Sequence, residues 1–222
     1  LTAITALILL IVFIYLPEGH APDPRVSLKP RPLLITFFNV LRNTQFYTYT
    51  FAGAFAFATL FIYVAGSPVI FMEIFQVSPQ QYGMIFALLS VGFIGGSQLN
   101  IVVTRKHKSE RVFYIALIIQ VVTSLVFLIG VWNDWLGLYA NIGMFFILLS
   151  CLGFINPNAN ALALAPFSEN IGSASALLGC TQIGVAALAS SGVGLLSADN
   201  TTPIVALIAC TASAAFLILL AG

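Results

Sequence analysis

Charge is what this sequence has least of. Of 222 residues only 7% are Asp, Glu, Lys or Arg, where an ordinary soluble domain carries about 25%. That scarcity, with 60% hydrophobic residues and a mean hydropathy of +1.05, excludes a soluble globular domain and a disordered chain. It also excludes a nucleic-acid binder, which needs a basic face. The three cysteines, Cys151, Cys180 and Cys210, all sit in apolar runs and outline neither a disulfide framework nor a metal site. The two histidines, His20 and His107, fall between the runs. What remains is an integral membrane protein with several crossings.

The positions of the charges say more than their sum of +1. Residues 43–72, 74–104, 112–133, 135–168, 170–198 and 200–222 carry none. A helix needs about 20 apolar residues to cross a hydrocarbon core about 30 Å thick. Each stretch therefore holds one span, and none holds two with a turn. Residues 1–17 look like the tail of a span cut short. The runs are apolar nearly all round, without the alternation of barrel strands, and in lipid a helix satisfies its own backbone. A charge at mid-membrane costs about 2.5–3.5 kcal/mol, which accounts for its confinement to loops.

The expected fold is all-α membrane. Residues 1–16 are the end of a preceding span, 17–44 a cytoplasmic linker with an amphipathic helix, and 45–222 a six-span bundle. The spans fall at about 45–72, 80–104, 112–131, 136–163, 172–197 and 203–221. All eight Lys and Arg lie in 25–42 and 105–111, which the positive-inside rule makes cytoplasmic; alternation adds 167–171 to that side. Trp132 and Trp135 then flank an outer loop, where an interfacial aromatic belt belongs. Because the chain opens on Leu1 within an apolar run, it is expected to be the C-terminal part of a longer protein.

Along the chain, 17–32 holds five prolines and mixed charge, a solvated linker. Leu34, Phe37, Phe38 and Leu41 recur with helical spacing and predict a short helix on the membrane surface. Ser67-Pro68 should kink or end the first complete span, and Ser78-Pro79 should start the second. Gly92, Gly95 and Gly96 permit close helix approach. The third span is plain and is expected at the periphery. The fifth carries a run of small residues, Gly172 to Gly179, read as packing surface.

Four stretches together resemble the C-terminal half of the Bcr/CflA drug-resistance branch of the major facilitator superfamily. They are Phe61 to Pro68 (FIYVAGSP), Ser78 to Gly83 (SPQQYG), Pro157-Asn158-Ala159 with Ala161 to Leu164, and Gly172 to Gly179 (GSASALLG). On that resemblance they sit on spans seven, eight, ten and eleven. The basic loop at Arg105-Lys106-His107-Lys108 sits where the superfamily repeats its cytoplasmic loop motif, but lacks the acidic residue before the first base. The resemblance implies a twelve-span fold of two six-helix halves in the bacterial inner membrane. It further implies export of structurally diverse hydrophobic drugs of the bicyclomycin or chloramphenicol type, driven by proton entry through alternating access. No cofactor is implied beyond the proton gradient. The partners are small hydrophobic drugs, protons, the lipid bilayer and the missing N-terminal six-span half.

A drug pocket is mostly apolar and aromatic with a few placed polar groups, near mid-membrane between the halves. Tyr47, Phe51 and Phe55 form a helical stripe on the first complete span; they either pack against neighbours or line such a pocket. Tyr63, inside the matching motif, is the best single candidate among the aromatics. Asn156 and Asn160 share one face while Asn158 points elsewhere; they serve either interhelical hydrogen bonds or the transport path. Gln182 lies near the midplane, where a lone amide is costly. No Asp, Glu or His lies inside a complete span, so a proton-coupling carboxylate is expected in the missing half. The same absence argues against an intramembrane protease or redox enzyme. The alternatives are a secondary carrier of a defined metabolite, such as a sugar or organic anion, and a non-transporting truncated membrane fragment.

Overall fold

The computed structural model describes residues 2–15, 37–167, 170–195 and 200–222. The proline-rich linker and Leu34 lie outside the described residues. The chain forms two units, Leu1–Ile35 and Thr36–Gly222. In the first, α1 (Thr2–Tyr15) is a 14-residue apolar helix. In the second, six helices are long and apolar enough to cross a membrane, and no described residue is in a strand. They are α2 (Thr44–Pro68), α3 (Pro79–Thr104), α4 (Ser109–Trp132), α5 (Leu138–Leu164), α6 (Ile171–Leu195) and α7 (Thr202–Ala221).

Local chemistry sets several of the helix ends. Asn43 caps α2, its side chain accepting from the Phe46 N–H at 3.0 Å. Ser78 and Gln81 close a reciprocal capping box on α3, at 3.3 and 3.1 Å, with Pro79 at the first helical position. α2 ends at Pro68, as the Ser67-Pro68 pair leads one to expect, but the chain stays helical beyond it. Pro68 keeps helical angles (φ −60°, ψ −43°), and the chain widens into one π-helical turn, Val69–Ile74. A proline's missing N–H removes one bond, and the Phe75 N–H donates to the Ile70 carbonyl five residues back at 3.1 Å. Trp132 and Trp135 stand 74% and 73% exposed on either side of the turn after α4.

α2 packs against α5, α6 and α7; α5 also packs against α3 and α4, and α4 against α7. The third span is therefore not simply peripheral. Its Ile115, Ile119, Val122 and Ile129 face outward, but Gln120 and Ser124 are fully buried. Gln120 Nε2 donates to the Ala56 carbonyl at 3.1 Å and to Thr59 Oγ1 at 3.0 Å, both on α2. In the short helical turn at 37–41, Val40 is the buried residue, packed with Phe46, Ala163, Ala174 and Leu178. Phe38 and Leu41 are exposed, and Phe38 lies under the Arg42 guanidinium at 4.8 Å.

α3 and α5 approach each other main chain to main chain. A Cβ on Gly96 would collide with the Ser150 carbonyl, and one on Gly153 with the Phe93 carbonyl and, at 2.5 Å, the Ser97 nitrogen. Gly92 meets Phe146 and Ser150 at 2.9 Å, whereas Gly95 faces open space. The small residues of α6 behave differently from expectation. Gly172, Gly179 and Gly184 face open space, and Ser175 and Ala176 are exposed, so only the Ala174 and Leu178 side of that stripe is packing surface within this bundle.

Gly96→Leu should destabilise the bundle by about 1–3 kcal/mol or more, because main chain cannot yield as a side chain can. Gly95→Ala should be neutral or stabilising by up to about 1 kcal/mol. Thermal unfolding of detergent-purified variants measures both, and equal losses at the two positions would refute the backbone approach.

Candidate functional site

A neutral amide in a membrane helix must find a hydrogen-bond partner on a neighbour. On α5, Asn156 and Asn160 are one turn apart. From α6, Gln182 Nε2 donates to Asn160 Oδ1 at 2.8 Å and reaches Asn156 Oδ1 at 3.4 Å. The three predicted amides thus form one cluster across two helices. Gln182 is 8% exposed, and the two asparagines are half-buried. The third wall is α2 at Gly53, where a Cβ would stand 2.7 Å from the Ala159 Cβ and 4.0 Å from Gln182 Nε2. Glycine is what lets α2 come this close.

The predicted aromatics divide. Tyr47 and Phe51 have ring centroids 4.7 Å apart, and Tyr47 is 46% exposed. They precede Gly53 along α2, Tyr47 by about 9 Å at the helical rise. Phe55 packs against the main core. Tyr63 lies sixteen residues after Tyr47, turned about 160° around the helix. It is 2% exposed and sits among Phe145 (5.2 Å) and Phe86 (6.0 Å). Its hydroxyl lies beside Ser67, whose Oγ pairs with Tyr82 OH at 2.9 Å. Tyr63 is about 15 Å beyond Gly53 along α2, so it belongs to the α2–α3–α5 joint and not to the amide cluster.

Other polar contacts between helices escaped the sequence reading, and two of them rest on fully or nearly fully buried amides. Asn158 Nδ2 donates to Asn100 Oδ1 at 2.6 Å, joining α5 to α3. Gln120 joins α4 to α2 as described above. The available signal was the same for both: an amide inside an apolar run. Every buried polar side chain among the described residues is Ser, Thr, Tyr, Asn or Gln, so the interior offers neutral hydrogen-bonding groups and no ionised one. The cluster can orient a ligand's carbonyl, hydroxyl or amide; Tyr47 and Phe51 lie on another face of α2 from Gly53.

The family model of the Major Facilitator Superfamily matches residues 1–191. Among curated proteins, the chain is similar to a bicyclomycin resistance protein homolog of Haemophilus influenzae. The two are 28% identical over 199 residues, 87% of this chain and 48% of that protein. It is also similar to an uncharacterized MFS-type transporter, YdgK, of Bacillus subtilis. That match is 25% identical over 190 residues, 85% of this chain and 47% of the relative. The chain spans about half the length of the curated relatives it matches.

A double-mutant cycle on Gln182→Ala with Asn160→Ala should give a coupling of about 0.6–2 kcal/mol. The cycle with Asn156→Ala should give less, because its contact is longer. Unfolding in detergent reads both, and zero coupling to Asn160 would remove the cluster.

Proposed function

Because the chain belongs to the major facilitator superfamily, we propose that it forms six helices of a drug exporter of the Bcr/CflA branch. In this reading the whole transporter moves structurally diverse hydrophobic drugs out of the cell by alternating access, against proton entry, in a bacterial inner membrane. The observation that carries the reading is the neutral amide cluster of Asn156, Asn160 and Gln182, with Tyr47 and Phe51 toward its basic-loop end. Apolar drugs with a few carbonyl or hydroxyl groups need such a lining. An organic anion would need a buried cation, and the buried polar residues of the described chain include none. The bicyclomycin resistance relative supports the same class of cargo.

Alternating access requires a body that moves as a unit and a site that meets its counterpart at mid-membrane. The glycine contact of α3 with α5 and the amide links between α5, α6 and α3 make this bundle such a body. Proton coupling requires a titratable group within the membrane. On this reading the N-terminal six-span half supplies that carboxylate, and this bundle supplies cargo contacts.

Cells expressing the full-length protein should tolerate raised concentrations of several unrelated hydrophobic antibiotics, and an uncoupler should abolish the difference in drug accumulation. Unchanged susceptibility across a broad panel would end the efflux reading. Tyr47→Ala and Gln182→Ala should change the rank order of drugs at constant membrane abundance. Activity that falls only in step with abundance would make those residues structural.

A further inference from the structure

Away from the amide cluster, a groove of about 590 Å³ runs between α3 and α4, floored by α5. Its walls include Val103 on α3, Ile115 and Ile119 on α4, and Phe146 and Phe154 on α5, with His107 and Arg111 at one end. Both end residues are exposed. No ion pair is found for either among the described residues, although Glu110 is a neighbour in sequence. From Arg111 to Ile119 the groove follows α4 for about 12 Å, close to half of a hydrocarbon core about 30 Å thick. It is therefore as deep as one leaflet, apolar inside and cationic at its mouth. The outward residues of α4 beside it are large aliphatics, whereas membrane helices that pack on protein favour small ones. This face is built to meet lipid.

We propose that this groove binds an anionic phospholipid of the leaflet on the basic-loop side, an acyl chain lying along Ile115, Ile119 and Phe146 and the phosphate held between His107 and Arg111. The site is independent of the transport reading and of its substrate. Clustered bases near a membrane surface attract anionic headgroups, and an arginine fork pairs with phosphate in two-pronged fashion. The groove adds a fixed position for the chain below that charge.

The test is native mass spectrometry of the full-length protein released from micelles, titrated with phosphatidylglycerol or phosphatidylcholine of identical chains. Phosphatidylglycerol should be retained preferentially. Arg111→Gln should lower its retention about fivefold, the effect of one surface charge on an anionic lipid, and leave phosphatidylcholine unchanged. Ile119→Trp, at an exposed position, should lower retention of both lipids. The pair Lys106→Gln and Lys108→Gln, outside the groove, should lower phosphatidylglycerol retention by less than Arg111→Gln alone does. Equal retention of the two lipids, or an equal loss from the lysine pair, would overturn the proposal in favour of none or of diffuse charge.

Discussion

A polar group without a partner is costly in hydrocarbon, and a small set of helix contacts in this protein answers that cost. Ser90, Ser150, Thr181 and Ser191 turn their hydroxyls back onto carbonyls of their own helices at 2.7–2.8 Å. Amides are too demanding for that solution alone. Gln120 ties α4 to α2, Asn158 ties α5 to α3 through Asn100, and Gln182 ties α6 to α5 through Asn160. Lipid tails are as apolar as leucine, so hydrophobic burial does not hold such helices together. Close packing and these amide links do, and they fix which helices are neighbours.

The same economy gives the bundle two different exteriors. Where α3 meets α5, Gly96 and Gly153 bring main chain against main chain, and nothing larger fits. On α6 one side is left open, with Gly172, Gly179 and Gly184 facing empty space, while Ala174 and Ala186 are buried. On α4 the outward side is Ile115, Ile119, Val122 and Ile129, a surface suited to acyl chains. A helix with open glycines and a helix with outward isoleucines present themselves to different neighbours. The proposed transporter uses the difference: one side for protein that must slide during alternating access, the other for lipid.

The candidate site is neutral, and this shapes what it can carry. Three amides can select for a few hydrogen-bonding groups, which is loose selection. Burial of a charged anchor would sharpen the choice of cargo at a large desolvation cost. A site without one suits many apolar molecules, the behaviour expected of the proposed drug exporter.

Charge placement by itself determined the helical membrane class and the six spans, because the penalty for an ionised side chain in lipid acts on each segment independently of its neighbours. Capping chemistry is as local, and Ser78-Pro79 announces the start of α3 in the sequence. Helical spacing put Asn156 and Asn160 on one face, yet only the packing of α6 on α5 brought Gln182 to them. Only tertiary structure showed that Tyr63 faces inward, that Gly96 and not Gly95 carries the close approach, and that a plain third span buries Gln120. It also decided that the chain stays helical past Pro68, in a π turn. A helix repeats about every 3.6 residues and offers every face equally; which face is buried is set by the helix that lies against it, and no single segment encodes its neighbour.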